Sequence, residues 1–188
     1  STYTANFKTL PKLIQKINSR NMIPIIDYAN ENTINYMKNY TTIYETINKY
    51  PGNVFAVKFS SLGLNLNKPK SHLNNEESYV LADNLIELGA GQQSTIMLDA
   101  EQDDIQADIN RYTDKLIDKY NNKKPVVYKT YQMYRKDAFK ILEQDMETFK
   151  DHYLGIKLVR GAYYNTDYEK GVQGYDDKEP RITNGFGL

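Results

Sequence analysis

Two apolar periods alternate along the chain. Over residues 7–17 (FKTLPKLIQKI), Leu10, Leu13, Ile14 and Ile17 fall on one helical face. Residues 22–27 (MIPIID) are instead a short apolar run ending in an acid, and predict a buried strand. The helical period returns over 32–50 with Ile34, Met37, Tyr44 and Ile47, and Pro51-Gly52 stops it. VFAVKFS (54–60) predicts a second strand, and a polar loop runs from Leu62 to Asn75. EESYVLADNLIELG (76–89) predicts a helix that Gly89 ends. TIMLDAE (95–101) predicts the third strand. Residues 103–120 place Ile105, Ile109, Tyr112, Leu116 and Tyr120 along one stripe, with Asp103 and Asp104 where they complement the positive end of the helix dipole. PVVYKTYQ (125–132) predicts a strand, 137–153 a helix, and IKLVRGAY (156–163) a fifth strand. From Asn165 onward the sequence reads as loop, with a weak helical signal near 168–172.

Strands alternating with helices predict an α/β fold with a parallel sheet. Two architectures compete, an open doubly wound sheet and a (βα)8 TIM-type barrel. Polar residues close every strand: Asp27, Lys58, Asp99, Tyr131 with Gln132, and Arg160. They recur roughly every 30 to 40 residues, and barrels carry their chemistry at strand C-termini. No glycine fingerprint follows a strand, as a doubly wound nucleotide site would require. The barrel is therefore expected, with about the first five βα units present and residues 1–188 forming a partial barrel domain.

Charge and composition narrow the classes. The 188 residues carry 24 Lys+Arg and 24 Asp+Glu, so a basic nucleic-acid footprint is absent and no nucleic-acid partner is expected. No apolar run is long enough to span a bilayer. With no Cys and only His72 and His152, far apart, no metal site is expected. Ser1 is not an initiator Met, so the sequence is expected to begin after a processing site or inside a longer chain.

The strand ends carry the candidate chemistry. Lys58 lies between apolar neighbours in FAVKFSS, and a buried ammonium needs an anionic partner, either Asp99 or a substrate carboxylate. A purely structural ion pair is the plainer alternative. Asp99 and Glu101 share a face if the strand continues, but Glu101 is read as a helix-start residue. Gln132 can both donate to and accept from the edge of a planar heterocycle, or it is simply solvated. Lys157 and Arg160 are cations near the end of the fifth strand. Gly161 admits close backbone approach, Ala162 adds little bulk, and Tyr163 could cover an apolar ring. A cationic wall for a flavin and a phosphate or carboxylate cradle both fit those residues.

The segments AVKFSSLG, MLDAEQ, KTYQMYRKDAF and IKLVRGAYY, in this order and at strand ends, resemble the proline dehydrogenase family of flavin-dependent barrels. GYDDKEP near the end resembles the mitochondrial eukaryotic form. The resemblance implies oxidation of L-proline to 1-pyrroline-5-carboxylate, with hydride transfer to FAD and electrons passing to a quinone. It places the protein at the matrix side of the mitochondrial inner membrane, with peripheral membrane association. It sets Lys58 and Asp99 around proline, with Lys58 toward the carboxylate, and Leu158 and Tyr163 as walls of the substrate pocket. It sets Gln132 against the flavin ring, Lys157 and Arg160 along the isoalloxazine, and Gly161 and Ala162 packed close to it. The isolated fragment is expected to be inactive. A non-enzymatic remnant or interaction module, and another flavin barrel such as a folate-type reductase, are the alternative readings.

Overall fold

The computed structural model describes residues 4–28, 35–64 and 72–169. Helix α1 (Leu10–Asn18) is followed by β1 (Ile25–Asp27), α2 (Tyr36–Lys49), β2 (Val54–Val57), α3 (His72–Gly91) and β3 (Thr95–Leu98). Then come α4 (Asp103–Tyr120), β4 (Val127–Gln132), α5 (Ala138–Thr148), β5 (Gly155–Val159) and α6 (Tyr164–Glu169). The strands form one parallel sheet in the order β1-β2-β3-β4-β5. A doubly wound sheet reverses its order at a switch point, and this one does not. Right-handed crossovers between sequential strands carry the connecting helices to one face, as in a barrel wall.

Register separates the two faces of the sheet. Phe55, Ile96 and Val127 stand side by side, as do Val57, Leu98 and Lys129. This face meets Ile43 and Ile47 of α2, Leu85 and Ile86 of α3, and Ile109, Tyr112, Leu116 and Ile117 of α4 in one apolar core. Each such buried side chain stabilises the fold by about 1.5–3 kcal/mol. The opposite, inner face carries Asp27, Ala56, Met97, Tyr128 and Gly155 in register. A Cβ on Gly155 would lie 2.6 Å from the Tyr128 ring, so the glycine lets that ring lie across the start of β5.

Two polar clusters tie helices to the sheet. Asn121, fully buried after α4, accepts the N–H groups of Val126 and Val127 and donates to the carbonyls of Val127 and Tyr153. It thereby clamps the start of β4 to the approach of β5. Lys129 is buried under the helices with Asp114 of α4 at 2.6 Å and Asp145 of α5 at 2.7 Å. The Tyr131 hydroxyl donates to Asp145, and burial pushes its phenol pKa up.

Several boundaries differ from the sequence expectations. The second apolar run outlasts its strand because Phe59, just before the 3-10 turn at Ser60–Leu62, and Leu62 within it are buried outside the ladder. In the first strand only Ile25–Asp27 pair, and Met22 and Ile23 are exposed. Gly89 does not end α3. It lies within the helix, where a Cβ would meet Ile96 at 3.1 Å, so it serves close helix–strand packing. The fifth helix stops at Thr148, and Phe149 turns into the core. Helix α6 begins at Tyr164, ahead of the weak helical signal expected near 168–172, and its buried Asp167 accepts from the Asp103 N–H and the Tyr134 hydroxyl. Ile34, most of the polar loop after Leu64, and GYDDKEP lie outside the described residues.

Candidate active site

The inner face becomes polar at the C-terminal ends of the strands. Thr130 and Lys157 are register partners there. Asp99 continues the ladder, its N–H donating to the Val57 carbonyl at 2.9 Å, and follows Leu98 of the core face, so it stands on the inner face. Lys58 follows Val57 by the same alternation. Its carbonyl accepts from the Ser61 hydroxyl at 2.6 Å, which fixes the turn behind it.

Charges alternate across this layer. Lys58 Nζ lies 3.9 Å from Asp27 Oδ2, and Lys157 Nζ lies 2.6 Å from Asp99 Oδ1. Reading from β1 to β5, the order is carboxylate, ammonium, carboxylate, ammonium. Such an array can meet a zwitterion, with a cation for its carboxylate and an anion for its amine. Of the two partners expected for Lys58, Asp99 or a substrate carboxylate, Asp99 is paired instead with Lys157, and Asp27 is the carboxylate near Lys58. The register sets Lys157 beside Thr130, directly across one strand from Asp99, and no local pattern encodes that.

Glu101 is a second correction. Read from the sequence as a helix-start residue, it lies two residues before α4, which begins at Asp103, and is 2% exposed. Its carboxylate accepts the Ser60 N–H at 3.0 Å, and its own N–H donates to Gln106 Oε1 at 2.7 Å. Burial raises its pKa above the usual carboxylate value, and the Ser60 hydrogen bond and nearby Lys58 oppose that shift. The period of two counted from Asp99 is the signal that marks Glu101.

Gln132 is buried and donates from Nε2 to the Glu101 carbonyl at 2.9 Å. It shares the inner face with its register partner Val159. Leu158 does not join them. It pairs with Tyr131 on the helix face and is 48% exposed, because strand alternation turns it outward when Lys157 points inward. Arg160 has left the strand and is exposed, with its carbonyl accepting the Tyr134 N–H at 3.2 Å. Gly161 adopts φ +112°, which a side chain would strain, and Ala162 is exposed beside it. Tyr163 is half-buried, and its carbonyl accepts the Asp167 N–H at 2.9 Å. The structure thus brings Lys58, Asp99, Gln132 and Lys157 to one face. Arg160, Gly161, Ala162 and Tyr163 form the loop at the same end.

A separate cavity of about 240 Å³ lies between α4 and α5, lined by Gln106, Asn110, Arg135 and Ile141 among others. Thr130, Tyr131 and Gln132 at the end of β4 line it as well, so it borders Gln132, while Lys58, Asp99 and Lys157 of the charged array do not line it. Among the described residues, no group of three or more His, Asp or Glu is placed to hold a metal ion, and no helix is long and apolar enough to cross a membrane.

Comparisons with known proteins bear on the family and the fold. The chain is 38% identical over 96 residues to proline dehydrogenase 1, mitochondrial, of Drosophila melanogaster, covering 50% of this chain and 14% of the relative. The human protein of that name is 38% identical over 101 residues, covering 52% and 16%. Hydroxyproline dehydrogenase of Xenopus laevis is 31% identical over 129 residues, covering 67% and 26%. The chain thus spans between 14% and 26% of these relatives' length. Among solved structures, proline utilization A of Corynebacterium freiburgense superposes with a TM-score of 0.74 at 20% identity, covering 87% of this chain and 18% of that one. The Bdellovibrio bacteriovorus protein gives 0.66 at 17% identity, covering 87% and 20%. At such identities the structural likeness speaks for the fold alone. The family model for proline dehydrogenase matches residues 10–179, from α1 past α6, and the chain belongs to the proline dehydrogenase family.

Proposed function

We propose that this chain supplies the substrate- and flavin-facing wall of a proline dehydrogenase. The observation that carries the reading is the alternating charge array on the inner face, with Gln132 and the Gly161 loop at the same end of the sheet. Proline is a compact zwitterion. Lys58 receives its carboxylate, Asp99 lies toward its amine, and Tyr163 covers the ring. Leu158 is left out of the pocket wall because it belongs to the helix face.

The residues also fit FAD. Gln132 has spent one N–H on Glu101, and its other N–H and its oxygen can meet the edge of the flavin ring. Lys157 and Arg160 place positive charge along that ring, and the bare backbone at Gly161 with Ala162 beside it lets the cofactor pack closely. FAD held there would supply a hydride acceptor for the proline ring carbon that adjoins nitrogen on the side away from the carboxylate. The C–H bond at that carbon breaks with its electron pair, the nitrogen gives up a proton, and the C=N bond of 1-pyrroline-5-carboxylate forms. A membrane quinone takes the electrons onward. In keeping with the relatives named mitochondrial, the protein works in the mitochondrion, peripherally on the matrix side of the inner membrane.

The test uses the native flavin-loaded protein, with L-proline and trans-4-hydroxy-L-proline as rival substrates. Proline-dependent bleaching of the flavin is expected. Lys58→Ala is expected to lower kcat/KM by about tenfold to a hundredfold, one charge-assisted contact, with flavin content unchanged. Arg160→Ala is expected to lower flavin content more than turnover per flavin. Equal flavin loss in both variants refutes the separate roles. Bleaching by hydroxyproline alone transfers the reading to that substrate, which the name of the Xenopus relative makes the natural rival.

A further inference from the structure

We propose that Tyr134 is a positioning residue of the cofactor site, its hydroxyl orienting the Gln132 amide and its ring setting the path of Gly161. The inference rests on the flavin site proposed above and adds to it a residue that acts only through those two.

The amide orientation follows from proton counting. Gln132 is buried, and its side chain lies 2.9 Å from the Glu101 carbonyl, which has no proton to give. The amide nitrogen must therefore face Glu101. That turns Oε1 toward the Tyr134 hydroxyl, 3.1 Å away, which donates to it. The same hydroxyl lies 2.9 Å from Oδ2 of Asp167, fully buried on α6, so one proton is shared between two acceptors. The terminal torsion of a glutamine has a broad energy well and does not fix the amide by itself. The hydroxyl at one end and the Glu101 carbonyl at the other do so here. They leave one N–H and one oxygen lone pair of Gln132 for a ligand.

The ring does the second task. The Tyr134 N–H donates to the Arg160 carbonyl at 3.2 Å, which brings the ring over the next residue. A Cβ on Gly161 would lie 1.8 Å from Tyr134 Cε1 and 2.1 Å from Cδ1. The glycine is thus demanded by the tyrosine as well as by its φ of +112°. Tyr164 meets the same ring edge-on with centroids 5.7 Å apart. One side chain joins the end of β4, the loop after β5 and α6.

The first arm of the test needs no cofactor. In the ¹⁵N-labelled flavin-free protein, hydrogen exchange of the Gln132 side-chain amide is compared with that of Asn121, whose buried amide donates to Val127 and Tyr153. Tyr134→Phe is expected to speed exchange at Gln132 about fivefold, the equivalent of one hydrogen bond, and to leave Asn121 unchanged. Acceleration at both sites means general loosening and overturns the proposal, as does no change at Gln132. The second arm is a double-mutant cycle read as the flavin dissociation constant. Tyr134→Phe is expected to weaken binding about fivefold in the natural background and to do nothing further once Gln132 is Ala. The same loss in both backgrounds makes the tyrosine independent of Gln132 and overturns the proposal. A protein that binds no flavin refutes the proposed function and the cofactor half of this inference, while the first arm still decides the amide.

Discussion

At the scale of the residue, Glu101 shows how burial turns an ordinary carboxylate into a pH-dependent element. Its pKa is raised chiefly by desolvation, so the folded state holds the proton more tightly than the unfolded chain. Between the usual value of 4.5 and the elevated folded one, the folded state binds more protons, and stability falls as pH rises through that window. Glu101→Gln removes the buried charge and keeps an oxygen for the Ser60 N–H. It is expected to raise Tm by a few degrees at pH 7 and to flatten the pH dependence above 4.5. Thermal melts of both proteins across pH 4 to 8 measure this. A variant less stable at pH 7 would mean that the ionised carboxylate beside Lys58 is favourable overall.

At the scale of the element, the sheet and its helices are joined by a few saturated polar side chains. Asn121 makes four hydrogen bonds to backbone groups at the start of β4 and before β5. Asn121→Ala leaves two N–H groups and two carbonyls there without their partner, a loss of about 2–4 kcal/mol in chemical denaturation. A cost under about 1 kcal/mol would show that water or backbone shifts replace the amide. Lys129 acts similarly between α4 and α5. Lys129→Ala strands the buried Asp145 carboxylate and removes the ammonium partner of the half-buried Asp114, and is expected to cost about 3–5 kcal/mol. The denaturation midpoint gives the answer, and an unchanged midpoint would remove the network from the account of stability.

At the scale of the whole molecule, the sheet is an open wall among the described residues. β1 and β5 are its edges, and each shows apolar side chains: Ile25 is 53% exposed, Ile156 36% and Leu158 48%. Such edges offer unpaired backbone groups to another chain. A polypeptide of residues 1–188 expressed by itself is therefore expected to self-associate and to bind flavin weakly, measured by light scattering and flavin absorbance. A monomeric, yellow preparation would show that five strands suffice.

The order of elements was legible in the sequence, because helix and strand periods are local and each segment carries its own. Helix α4 spans residues 103–120, as its apolar stripe and first-turn acids predicted. The polar strand ends were legible too, since a parallel sheet brings every C-terminus to one edge. Tertiary structure alone decided which charge meets which. Asp99 takes Lys157, which is 58 residues distant in sequence, because strand register brings the two within 2.6 Å. It alone decided that one tyrosine among 17 folds back over Gly161, whereas the period of two already marked Glu101 and set Leu158 opposite Lys157. Periodicity records which face a residue prefers, whereas a hydrogen bond or ion pair depends on distances between strands that no local pattern contains.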